Sequence, residues 1–153
     1  ENAGDNYGRS VALSDDGSVL AVGTPANDGN GSNSGHVRVY KNVNGSWEQI
    51  GEDINGENAV DRSGYSVALS DDGSILAVGA HGNDGNGLSS GHVRVYQNIN
   101  GSWDQIGQDV DGENVFDNFG SFCIISLKLD AYSRIRVLFQ ILSLWWNCTP
   151  SLP

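Results

Sequence analysis

Residues 1–56 align without a gap onto residues 57–112, and 40 of the 56 positions are identical. A tandem copy this close limits the fold more than any other feature, because both copies must adopt one structure and must pack beside each other. The blocks Val11-Ala12-Leu13-Ser14-Asp15-Asp16-Gly17-Ser18 and Val67-Ala68-Leu69-Ser70-Asp71-Asp72-Gly73-Ser74 match letter for letter, as do His36-Val37-Arg38-Val39-Tyr40 and His92-Val93-Arg94-Val95-Tyr96. A third period starts at Glu113-Asn114 and runs to Phe119-Gly120. Glu1-Asn2-Ala3 matches Glu57-Asn58-Ala59, which lies inside a connector, so the chain is expected to continue a longer array.

Beyond Gly120 the composition changes. All 21 glycines lie in residues 1–120, which carry 18 acidic and 5 basic side chains; residues 121–153 carry 1 acidic and 3 basic. Three readings of this tail stay open: a C-terminal cap of different composition, a shifted frame or exon end, and an anchor. Against the anchor, the apolar run 135–146 contains Arg136 and is short of the ~20 residues a spanning helix needs. The net charge of −11 argues against nucleic acid, whose phosphates need clustered cations, and against an anionic membrane surface. Two cysteines, Cys123 and Cys148, make no disulfide framework, and no secretory leader opens the sequence.

Each period reads as four short strands. In the first copy they are 10–14, 19–23, 36–42 and 47–53; in the second, 66–70, 75–79, 92–98 and 103–109. Asp16-Gly17 and Asn44-Gly45 are two-residue hairpin signals, the latter suited to the positive φ of a type I′ turn. Val19–Gly23 is an apolar run of the kind buried on both faces, and Val37 and Val39 alternate with Arg38 and Tyr40. Four antiparallel strands per period predict an all-β fold of propeller blades. The expected division is 1–9 as the end of a preceding connector, 10–56 as blade 1, 57–112 as blade 2, 113–130 as a partial third blade and 131–153 as a non-repeat tail. The tail is expected to be irregular or helical, its Ile135, Leu138, Phe139, Leu142, Trp145 and Trp146 falling at helical spacing. A closed ring needs about four blades or more, so two blades form an incomplete propeller.

Gly64-Tyr65-Ser66-Val67-Ala68-Leu69-Ser70, Leu76-Ala77-Val78-Gly79-Ala80 and Ser90-Gly91-His92-Val93-Arg94-Val95-Tyr96 resemble the FG-GAP repeats of integrin alpha-like β-propellers. Phe-Gly itself occurs at Phe119-Gly120 and is replaced by Tyr7-Gly8 and Ser63-Gly64; Gly-Ala-Pro becomes Gly23-Thr24-Pro25 and Gly79-Ala80-His81. The resemblance implies a propeller of about seven blades in the parent, used for extracellular recognition and adhesion. The calcium loop of integrin-type repeats sits between the first and second strands, where this chain has only Asp15-Asp16-Gly17-Ser18. That site cannot be carried over.

In an up-and-down meander the tight turns share one end of the blade, and the second–third loop and the blade-to-blade connector share the other. Binding groups are expected on the long-loop end, since loops on a rigid scaffold carry function. Two oxygen-rich sets lie there. Asp28 and Asn30, with copies Asp84 and Asn86, sit in Asn-Asp-Gly-Asn-Gly loops. Asp53, Asn55, Glu57 and Asp61, with copies Asp109, Asp111, Glu113 and Asp117, fall at positions 1, 3, 5 and 9 of the connectors. These oxygens suit a hard cation, so Ca2+ is the candidate metal, although the glycine stands at position 4 and an EF-hand needs it at position 6. The competing explanation is turn chemistry, in which Asx side chains cap backbone groups.

Asp15-Asp16 and Asp71-Asp72 are read as turn residues, His36 and His92 as strand-edge histidines beside the long loops, and Trp47 and Trp103 as packing between blades. Asn30, Asn44 and Asn100 head Asn-Gly-Ser glycosylation patterns, two of them in turns. No nucleophile–base order or phosphate loop is present. The function expected is a non-catalytic, extracellular or cell-surface module binding a protein or glycan, with further blades or a second copy on its open faces. It has no nucleic-acid partner and no membrane insertion. The alternatives are a fragment of a propeller glycosidase or lyase, and a truncated product without independent function.

Overall fold

The computed structural model describes residues 2–123. Within them every regular element is a strand, in the order β1 (Ser10–Leu13), β2 (Val19–Thr24), β3 (His36–Val43), β4 (Ser46–Gln49), β5 (Ile54–Asn55), β6 (Ser66–Leu69), β7 (Ile75–Ala80), β8 (His92–Ile99), β9 (Ser102–Gln105) and β10 (Val110–Asp111). They form two antiparallel sheets, β1-β2-β3-β4 and its copy β6-β7-β8-β9, with β5 and β10 as second short partners of β3 and β8. No ribbon pairs across the copies, as blades require. The expected tail helix lies outside the described residues. So does most of the expected first strand of a third blade; its start, 121–123, carries no strand.

The fourth strand departs from expectation. It pairs with β3 in two pieces, Tyr40↔Gln49 to Val43↔Ser46 and then His36↔Asn55 and Val37↔Ile54. Between them the chain leaves the ladder over 51–53: the Ile50 amide still donates to the Val39 carbonyl at 2.9 Å, and Gly51 then takes a positive φ of 76°. The first hairpin is also wider than a two-residue turn: Ser14 and Val19 close it, with the Ser14 amide donating to the Val19 carbonyl at 2.9 Å. The Asn44-Gly45 and Asn100-Gly101 turns have positive φ at both residues, as a type I′ hairpin demands.

Strand parity separates two faces on each blade. Val19, Ala21, Val37 and Val39 share one face of blade 1, since Ala21 stands opposite Val39. Val67, Leu69, Leu76, Val78 and Tyr96 share the opposite face of blade 2. These two faces, with Ile54 and Trp103, form a single core cluster. The close approach at its inner corner needs glycine. Ser10 Oγ donates to the Gly64 carbonyl at 2.8 Å, and a Cβ on Gly23 would collide with that same carbonyl.

Among the described residues no second sheet covers the other face of blade 1, and exposure records it. Val67 is 7% exposed but its copy Val11 is 62%; Leu69 is 7% and Leu13 56%; Trp103 is 9% and Trp47 44%. Trp103 therefore packs between blades as expected, its indole N–H reaching the Ile50 carbonyl at 3.2 Å, whereas Trp47 stays exposed among the described residues.

Candidate functional site

The long loop 25–35 and the connector 56–65 lie at the same end of the blade and are tied together by main chain. The Val60 amide donates to Ser32 O at 2.8 Å, Arg62 N to Asn33 O at 3.1 Å and Ser63 N to Ser34 O at 2.9 Å. Blade 2 repeats this with Phe116 N on Leu88 O and Phe119 N on Ser90 O. Polar side chains complete the tie. Asn30 donates to the carbonyls of Gly56 and Glu57 at 2.8 and 3.0 Å, and Asn86 to Gly112 and Glu113 at 2.9 and 3.4 Å. Asp28 accepts from the Asn33 amide and Asp84 from Ser89. Asp61 and Asp117 accept from the amides of Asn58 and Asn114. Asn30 and Asn86, and one oxygen each of Asp28, Asp84, Asp61 and Asp117, thus serve as loop staples, the turn chemistry set against metal ligation above.

The 1-3-5-9 spacing does not gather around one centre. Asp53 and Asn55 line an outer groove of about 550 Å³ with Glu52, Gly51, Tyr96 and Trp103. Glu57 and Asp61 instead line a separate cleft of about 370 Å³ between the blades, together with Asn83, Asp84, Asp109 and Asp111. Five carboxylates from three chain segments therefore meet in one cleft: Glu57 and Asp61 from the connector, Asp84 from the long loop of blade 2, Asp109 and Asp111 from β10 and its approach. Glu113 and Asp117 are not among its lining residues.

One cation stands at the edge of this acidic set. Arg94, on β8, holds Asp109 bidentately at 2.8 and 2.6 Å and reaches Glu57 Oε1 at 2.6 Å. Arg38 repeats the grip on Asp53 at 2.8 Å through both nitrogens. The guanidinium and the amide of Gln105 hold the Asp109 carboxyl below its ordinary pKa against a smaller opposing effect of burial; Arg38 and Gln49 do the same for Asp53. The Arg94 pKa is raised in return.

His92 is 4% exposed, with Nδ1 3.8 Å from Asp109. Burial and then Arg94 push its pKa down. Glu57, His92 and Asp109 offer ligand atoms within 4.8 Å of one another. Arg94 already sits on both carboxylates, so a metal there would have to displace it. Sequence reasoning named all three residues but not their meeting, and it missed Arg94. Its faithful repetition as Arg38 was the available signal.

The paired aspartates behave as turn residues. Asp16 Oδ1 accepts from Ser14 Oγ at 2.7 Å and from the Ser18 amide at 2.9 Å, and Asp72 does the same with Ser70 and Ser74.

A family model for the FG-GAP repeat matches residues 1–40 and 55–96. The chain belongs to the FG-GAP repeat family. No curated protein matches it. The FG-GAP match takes in Glu57, Asp61, Asp84, His92 and Arg94 but not β4, Asp53, Asp109 or Asp111. Two of the five cleft carboxylates, Asp109 and Asp111, therefore come from outside the family match.

Proposed function

We propose that this FG-GAP segment is a non-catalytic binding module of an extracellular propeller, engaging a protein or glycan through the long-loop end of its blades. The observation that carries the proposal is the inter-blade cleft, where Glu57, Asp61, Asp84, Asp109 and Asp111 converge on a frame of stapled loops. Rigid loops presenting unspent carboxylate oxygens suit a cationic group on a partner or a bridging Ca2+. Glu57, Asp61, Asp84 and Asp109 have identical copies at Glu1, Asp5, Asp28 and Asp53, and such repetition favours binding over a unique catalytic constellation. Among the described residues no helix is long and apolar enough to cross a membrane.

The test is a glycan and extracellular-protein panel probed with the wild type and with the D84N/D111N double variant, each in Ca2+ and in chelator. The variant keeps side-chain acceptors, so its loops stay stapled while the cleft loses two charges. Ligand signal that drops about tenfold or more in the variant supports the cleft; signal unchanged by it moves the ligand elsewhere. Binding and melting temperature that ignore the chelator remove calcium from the proposal.

A further inference from the structure

The copies diverge at 16 of 56 positions, and seven of these fall at 4, 6, 7, 9 and 24–26 with their partners 60, 62, 63, 65 and 80–82. In space the seven are one neighbourhood. The Gly8 amide donates to Gly23 O, Ala26 to Asp5 O and Gly82 to Asp61 O, at the long-loop end of the edges where β1 packs on β6. The frame there is copied and the side chains are not.

The side chains that differ form a constellation across the blade seam. Arg9 lies over the Tyr65 ring, its guanidinium carbon 4.5 Å from the ring centroid, and donates to the Tyr65 hydroxyl at 2.8 Å. His81 packs against Tyr65, the ring centroids 4.0 Å apart and the planes tilted by 56°. His81 Nδ1 is buried without a hydrogen-bond partner. Arg62 starts the turn into Tyr65, whose amide donates to its carbonyl. Arg9 and Arg62 are exposed and take no part in the ion pairs of the described residues, although 18 acidic side chains were available in residues 1–120. Arg38 and Arg94, by contrast, are both bound to aspartate.

We infer that Arg9, Arg62, Tyr65 and His81 form an anion site at the blade seam, and that its ligand is a carboxylate. Arg62 and the Arg9 nitrogens not bound to the Tyr65 hydroxyl supply planar donors free of any carboxylate, and the unpartnered imidazole nitrogen is the kind of buried polar atom that calls for a ligand or water. A monoanion fits better than a dianion, because the −11 net charge opposes each added negative charge in proportion. The site is separate from the acidic cleft and stands or falls independently of it.

Burial, then Arg62 and Arg9, depress the His81 pKa, so an anion seated between those guanidinium groups raises it. The experiment follows the His81 ring resonances of the full chain by NMR during titration with acetate, with inorganic phosphate at pH 8 and with chloride at equal ionic strength. Acetate is expected to move His81 saturably and raise its pKa, chloride is not, and R62Q and R9Q each weaken acetate about tenfold. Among the described residues the Arg62 side chain makes no hydrogen bond, so R62Q alone decides if R9Q loosens the seam. Acetate acting no differently from chloride, or unaffected by R62Q, overturns the site. Phosphate binding more tightly than acetate overturns the carboxylate assignment.

Discussion

Thr24 is fully buried, and its hydroxyl has no hydrogen-bond partner. The copy places Ala80 there, which shows that the position needs no hydroxyl. Removing an unsatisfied buried group while keeping its volume is favourable. Thr24→Val should therefore stabilise the protein by about 1 kcal/mol in urea denaturation. Charged residues set the acid limit. Asp53 and Asp109 have depressed folded pKa values, so their contribution is complete above the unfolded value of about 3.9 and is lost as pH falls through the lower folded value. His81 and His92 are also depressed. The unfolded chain binds their protons first, and stability begins to fall as pH drops through about 6.5. Asp109→Asn should lower stability at pH 7 by about 1–2 kcal/mol and flatten the loss below pH ~4. Melting temperatures measured across pH 3–8 check both limbs; an unchanged acid limb in D109N contradicts the Arg94 grip.

Identical strands with different neighbours give a sharp contrast between blades. β1 and β6 have the same four residues, Ser-Val-Ala-Leu, yet only β6 is covered on its Val-Leu face. Leu69→Ala should cost about 2–4 kcal/mol, because the removed atoms leave a cavity between blades. Leu13→Ala should stay within about 0.5 kcal/mol, as for a surface change. Equal effects in denaturant titrations would mean that the open face of blade 1 is covered in solution. The strands themselves were readable in the sequence, since period-two alternation and Asn-Gly turns are local signals. The break of the fourth strand was not. Gly51 and its copy Gly107 both turn at positive φ there, and an isolated glycine inside an alternating run does not by itself say whether the strand bulges, bends or stops.

For the molecule as a whole, one apolar cluster runs through both blades, and Asp15 N bonds to Asp71 O across them. Blades joined this way gain most of their stability from the shared interface. Trp47 and Trp103 fluorescence, separated with W47F and W103F, should therefore report one unfolding midpoint for the described region. Two midpoints would show that the blades fold independently. The distribution of charge belongs at this level too. The composition announces an acidic protein, but five of its carboxylates meet in the inter-blade cleft while Arg9 stacks on Tyr65 at the seam.

Period, hairpins, strand faces and the end of the blade that bears the long loops all follow from local alternation and turn residues, which act over a few positions. The family likewise rests on motifs read in register. Which oxygens meet could not be had that way. Asp53, Asn55, Glu57 and Asp61 fall within nine consecutive residues, but the turn after Asn55 sends one pair to the outer groove and the other to the cleft. Arg94 reaches Glu57 across 37 residues, and Arg9 reaches Tyr65 across exactly the repeat length of 56. Such meetings depend on how one twisted sheet seats on the next, and that is settled by side-chain volume and close backbone approach at Gly23 and Gly64 rather than by any local pattern.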